Sequence, residues 1–103
     1  MNKSRLEILL EFIQADPKDS FARFGVAMEY ARLGENHKAL ENFRKLWELN
    51  PDYIAAYFQA GKLLAKIGQN DMARQVLGQG IQAAARANDQ HAKSEMESAL
   101  AVI

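Results

Sequence analysis

Residues 20–53 read SFARFGVAMEYARLGENHKALENFRKLWELNPDY, and residues 54–87 read IAAYFQAGKLLAKIGQNDMARQVLGQGIQAAARA. Laid over one another at an offset of 34, they pair Phe24 with Phe58, Ala31 with Ala65, Gly34 with Gly68, Asn36 with Asn70 and Ala39 with Ala73. Upstream, Pro17 precedes Pro51 by the same 34 positions. Conservative changes fill the gaps: Ala27 with Gly61, Leu33 with Ile67, Arg32 with Lys66 and Phe43 with Leu77. A fixed period of this length in helical sequence marks a stack of helical hairpins. Stacks of that kind serve as binding scaffolds rather than catalysts.

The remaining chain is consistent with this and narrows the class of partner. A length of 103 residues suits one domain. Hydrophobic residues at 49% and charged residues at 25% give an ordinary globular mix. Thirteen basic and thirteen acidic residues cancel, so no overall positive field exists to hold a phosphate backbone, and no nucleic-acid partner is expected. The absence of cysteine removes disulfides and thiolate chemistry and fits a reducing compartment. Lys3 and Arg5 precede an apolar run, but Glu7 and Glu11 interrupt it and no small-residue cleavage site follows, which argues against a signal peptide. No stretch approaches the roughly 20 apolar residues that span a bilayer. A cytoplasmic protein without a membrane partner is the expectation.

Six helices are predicted, and the fold class is all-α. The first covers about Lys3 to Ala15, with Leu6, Ile8, Leu9, Leu10, Phe12 and Ile13 spread over about 200° of a helical wheel. Asp16-Pro17 ends it, because proline forces its predecessor out of the α region. The second runs from Ser20 to Leu33, capped by Asp19 or Ser20 and closed by Gly34 in the left-handed region. The third runs from Asn36 to Leu49 and stops at Asn50-Pro51; the fourth runs from Tyr53 to Ile67 and closes at Gly68. The fifth runs from Asn70 or Asp71 to Ala87, with Gly78 and Gly80 inside it, where close packing is the expected reason for both. Asn88-Asp89 breaks the chain before a sixth helix, Gln90 to Val102, with the stripe Ala92, Met96, Ala99, Leu100 and Ile103. The short loops predict antiparallel neighbours.

The repeat resembles the tetratricopeptide repeat family, whose pattern is W-x2-L-G-x2-Y, then A-x3-F, then P. Residues 20–53 present Arg23, Val26, Ala27 and Tyr30, then Ala39 and Phe43, then Pro51. Residues 54–87 present Tyr57, Ala60, Gly61 and Leu64, then Ala73 and Leu77, with Ala85 where proline is expected. Losing that proline lets the fifth helix run longer. Independently of the pattern, Ala27, Gly61, Ala39 and Ala73 are small where two helices cross, and Tyr30, Phe43, Leu64 and Leu77 fill the space around the crossings. Residues 3–17 look like the second half of a truncated repeat, with Arg5 where Ala39 stands, and residues 89–103 look like a capping helix. The resemblance thus implies a short stand-alone α-solenoid: one leading half repeat, two full repeats and a cap.

The resemblance also implies a concave groove lined by the first helix of each repeat. Carried over by position, Phe21, Phe24, Met28 and Arg32 come from one repeat, and Ala55, Phe58, Gln59, Lys62 and Lys66 from the next. An apolar floor beside a basic edge suits a partner's helix or extended peptide with acidic flanks. Two plainer readings stand beside this one: Phe21 and Phe24 as core, Lys62 and Lys66 as solvated surface. Some family members clamp a carboxylate with Lys and Asn where this chain has Phe24 and Met28, which argues against that type of ligand. Gln59 alone is a weak substitute.

The first helix offers an alternative function. Its apolar residues cannot all turn inward, so Leu6, Leu9, Leu10 and Ile13 form a candidate face for homodimerisation or assembly. An enzyme is not expected. His37 and His91 have no neighbouring ligand at metal spacing, and no triad, phosphate loop or HExxH motif occurs. Glu95 and Glu97 point to different helix faces. No cofactor and no metal are expected. The expected job is adaptor or scaffold, with a protein or peptide partner whose identity the sequence does not carry.

Overall fold

The computed structural model describes residues 2–103. Among these the fold is all-α, with helices α1 (Arg5–Ala15), α2 (Ser20–Arg32), α3 (Asn36–Leu49), α4 (Ile54–Lys66), α5 (Asn70–Arg86) and α6 (Gln90–Ala101). The chain divides between Asn50 and Pro51 into two compact units.

In the first unit, α2 packs against both α1 and α3. α1 starts two residues later than the sequence suggests because Ser4 caps it: Ser4 Oγ accepts from the Glu7 amide at 3.1 Å, and the Glu7 carboxylate accepts from the Ser4 amide at 3.4 Å. This reciprocal pair satisfies two amides that the first turn would otherwise leave open. Arg5 stands where Ala39 stands one repeat later, so α1 lacks the small crossing residue. The crossing is made instead by Leu9, which is buried against Gly25 of α2; a Cβ at Gly25 would lie 3.1 Å from the leucine methyls. Arg5 turns outward and its Nε meets Glu29 of α2 at 3.6 Å. On α2, Val26 and Ala27 are buried, and on α3, Ala39, Phe43 and Leu46.

In the second unit, α5 packs against α4 and α6. Gly61 of α4 meets Leu77 of α5 so closely that a Cβ there would lie 2.5 Å from a leucine methyl. At Gly80 a Cβ would lie 2.5 Å from Met96 Sδ and 2.6 Å from Tyr57 Cβ. Gly80 is therefore the point where three helices meet, and Met96 of α6 is fully buried there. Gly78 differs from expectation: nothing lies within 4 Å of where its Cβ would be, so close packing does not explain it. α5 has 17 residues against 14 in α3, as the missing proline allows.

Three helices end in the same way. The amides of Glu35, Gln69 and Asp89 reach back to the carbonyls of Tyr30, Leu64 and Ala84 at 2.9, 2.8 and 2.9 Å. Each such turn needs a residue with positive φ: Gly34 at 78°, Gly68 at 85° and Asn88 at 57°. Asparagine is the side chain that tolerates this region best. Asp89 then caps α6 by accepting from the Ala92 amide at 3.0 Å, as Asp19 caps α2 through Ala22 at 3.0 Å.

Candidate partner-binding site

The apolar stripe of α2 is graded from one end to the other. Phe21, in the first turn, is 78% exposed. Phe24 and Met28, further along the helix, are half-buried. The Phe24 ring meets Phe43 of α3 edge-on, with centroids 6.1 Å apart and planes at 60°. Phe24 is thus partly core and partly surface, whereas Phe21 is surface.

Arg32, at the other end of α2, is exposed but engaged. Its Nε lies 3.1 Å from Glu29 Oε1 and its Nη2 lies 2.9 Å from Glu29 Oε2. This fork holds the Glu29 carboxyl below the usual carboxylate range, against the opposing effect of burial, and raises Arg32 in turn. Arg32 therefore fixes a carboxylate of its own helix.

In the second unit α4 presents Phe58 and Gln59, both half-buried, with Lys62 and Lys66 exposed. Lys62 Nζ sits over the Phe58 ring, 4.4 Å from its centroid, within cation–π range. Neither lysine makes an ion pair among the described residues. Beside Lys62 lies a cleft of about 410 Å³. It opens where α4, α5 and the end of α6 meet, and its walls come from residues some 40 positions apart, from Gly61 to Ile103, a pairing that no local pattern reveals.

On α1 the structure corrects the expected association face. Leu9 is buried, and Leu6 and Ile13 are half-buried, so of the expected four only Leu10 is exposed. The exposed large apolar residues of α1 are Ile8, Leu10 and Phe12, with Phe12 at 54%. The stripe is rotated because Leu9 takes the notch at Gly25.

His37 is exposed, and His91 Nε2 lies 3.2 Å from Glu95. Among the described residues no three His, Asp or Glu side chains are grouped as metal ligands are. No helix is long and apolar enough to cross a membrane, again among the described residues.

The tetratricopeptide repeat family model matches residues 30–101. This chain belongs to the tetratricopeptide repeat family. A TPR repeat-containing protein of Pseudomonas aeruginosa is 30% identical over 91 residues, covering 88% of this chain and 87% of the relative. The solution structure of a tetratricopeptide repeat domain protein from Salinibacter ruber superposes with a TM-score of 0.77 at 34% identity, covering 82% of this chain and 86% of that one. The TPR2B domain of yeast Sti1, in its pHsp70 complex, shares the fold with a TM-score of 0.86 at 19% identity, covering 92% of this chain and 76% of that one. A tetratricopeptide repeat and J domain-containing co-chaperone of Cryptococcus neoformans is 33% identical over 58 residues; the chain spans 11% of that protein's length. The all-α, TPR-like fold of this chain is that of a protein–protein interaction module, and proteins of this family are generally scaffolds without enzymatic activity.

Proposed function

We propose that this tetratricopeptide repeat protein binds a helix or extended segment of a partner protein, each unit offering the surface of its own first repeat helix, α2 in the first and α4 in the second. The repeats are taken as residues 20–53 and 54–87, with a leading half repeat before them and a capping helix after. The observation that carries the reading is Phe21, a large aromatic held 78% exposed on α2. An exposed aromatic with half-buried Phe24 and Met28 behind it supplies the kind of anchor that dominates protein interfaces. Phe58, Gln59, Lys62 and Lys66 extend the same role to α4, while Arg32 acts through Glu29. The module works as an adaptor, without catalysis, on a preformed surface. The experiment is a displayed peptide library panned on the wild type and on Phe21→Asp, with helicity measured for both. Peptides enriched by the wild type and lost by a folded Phe21→Asp support the reading. Equal enrichment on both sinks it.

A second reading, self-association through α1, is favoured by one observation. Phe12 is exposed, whereas Leu46, at the same place one repeat later, is fully buried. Sedimentation of the wild type beside Phe12→Ser tests it: a wild-type dimer that the variant loses supports it, and a wild-type monomer at high concentration removes it.

A further inference from the structure

Beside the first proline turn lies a cleft of about 330 Å³, lined by Pro17, by Arg23 of α2 and by Lys45, Glu48 and Leu49 of α3. Arg23 comes two residues after Phe21, which at about 100° per residue puts it on the far side of α2 from that ring. The cleft is therefore separate from the peptide-binding surface proposed above.

Its origin is a change of residue type between the two repeats. In the second repeat Tyr57 holds the place of Arg23; it is 5% exposed, and its hydroxyl meets the Pro51 carbonyl. Ala83, at the place of Leu49, is fully buried. In the first repeat a guanidinium stands in place of the ring, Leu49 is 49% exposed, and Pro17 is exposed as well. The first unit thus keeps apolar walls for a ring without supplying the ring. A guanidinium is planar and stacks on aromatic faces, so it forms a third wall of the same kind.

The polar lining fixes the charge of the occupant. Lys45 pairs with Glu41 at 3.2 Å, and Glu48 pairs with Arg44 at 3.7 Å. Arg23 meets no carboxylate among the described residues. Of the five N–H groups of an arginine, one on Nη1 reaches Asn42 and one on Nη2 reaches the Pro17 carbonyl, while Nε is buried without a partner. One unmatched positive charge with donors to spare selects a monoanion. A dianion such as phosphate would set its second charge against Glu48. The volume lies near the lower end of ligand pockets and holds one ring with one acid group.

We propose that this cleft binds a small aromatic monocarboxylate, with its ring against Pro17 and Leu49 and its carboxylate on the Arg23 guanidinium. This goes beyond the protein-binding reading and does not depend on it.

The test uses the full chain with labelled leucine methyls and arginine Nε, titrated with 4-hydroxyphenylacetate. Saturable shifts of the Leu49 methyls and of the Arg23 Nε–H are expected, with half-saturation below about 5 mM for a ligand of this size. Acetate, which lacks the ring, and 4-methylphenol, which lacks the acid, should each bind at least about tenfold more weakly. Raising salt from about 50 to about 500 mM should weaken binding of the aromatic acid. Arg23→Tyr should abolish binding, because its own ring takes the place and the charge is gone; a urea midpoint shows that this variant is folded. Leu49→Asp, which alters an exposed residue, should abolish it too. Half-saturation above about 5 mM overturns the proposal. So does equal affinity for acetate or 4-methylphenol, or undiminished binding by a folded Arg23→Tyr. If Arg23→Tyr fails to fold, Leu49→Asp decides alone: retained affinity overturns the proposal, and its loss supports it.

Discussion

The Tyr57 hydroxyl donates to the Pro51 carbonyl at 2.7 Å. Thirty-four positions earlier, Arg23 Nη2 donates to the Pro17 carbonyl at 3.4 Å. Both repeats thus tie the start of their first helix to the preceding proline turn, one with a phenol and the other with a guanidinium. The arginine version is longer, and it leaves Arg23 Nε buried without a partner although Nη1 reaches Asn42 Oδ1 at 3.2 Å.

Arg23→Tyr should therefore stabilise the protein. The phenol would copy the Tyr57 bond and remove the orphaned donor, a gain of about 0.5–2 kcal/mol. Urea unfolding measures it. A lower midpoint with unchanged slope would show that the arginine contributes more through its bond to Asn42 than it loses at Nε.

Tyr57→Phe should destabilise by about 0.5–1.5 kcal/mol, since one hydrogen bond is lost while the ring still fills its place. The same residue carries an alkaline dependence. Burial, the largest influence, raises the Tyr57 phenol above its ordinary value. The folded state then holds the proton more tightly than the unfolded chain does. Its contribution is complete below the ordinary tyrosine pKa of about 10 and is lost as pH rises through the folded value. Denaturation curves between neutral and strongly alkaline pH should decline less in Tyr57→Phe than in the wild type.

Gly80 and Gly78 should respond to alanine with opposite signs. At Gly80 the new methyl would meet Met96 and the stiff Cβ of Tyr57, and overpacking of this kind costs about 1–3 kcal/mol. At Gly78 the methyl meets nothing within 4 Å, and the helix gains about 0.8–1 kcal/mol of propensity. Thermal melts of both variants decide the matter; two changes of the same sign would contradict the packing at Gly80.

Glu29→Gln should flatten the acid side of the stability profile. The Arg32 fork keeps the folded Glu29 carboxyl below its ordinary range. Its contribution is present above the unfolded value of about 4.3 and is lost as pH falls through the folded one. Between neutral pH and about 3, the wild type should lose more stability than the glutamine variant. Parallel profiles would mean that Arg32 and Arg5 hold Glu29 no better than water does.

The period at Pro17/Pro51, Gly34/Gly68 and Ala39/Ala73 made the six helices and their turns legible, because each of these residues answers a local backbone or crossing requirement. The start of α1 was less legible, since the cap made by Ser4 and Glu7 is a two-residue reciprocal bond that apolar periodicity does not register. The orientation of α1 is hidden in the sequence for a related reason. Arg5 departs from the small crossing residue, but the consequence appears only through Gly25, which lies on another helix and accepts Leu9. Phe21 and Phe24 could not be separated in sequence, as both belong to one stripe; the nearness of Phe43 to Phe24 separates them. The cleft beside Lys62 was illegible because α6 supplies one of its walls.

Phe12, Leu46 and Gly80 occupy one and the same place in the 34-residue register. Only the last of them lacks a side chain, and there the sulfur of Met96 settles. A copy of residues 20–53 placed between α5 and α6 would part the methionine from its seat and offer it the counterpart of Leu46 instead. The closing helix would then have nowhere to dock, unless the newcomer carried a glycine of its own at that place. Lengthening by duplication therefore favours a copy of residues 54–87, which bring the counterpart of Gly80, over a copy of residues 20–53.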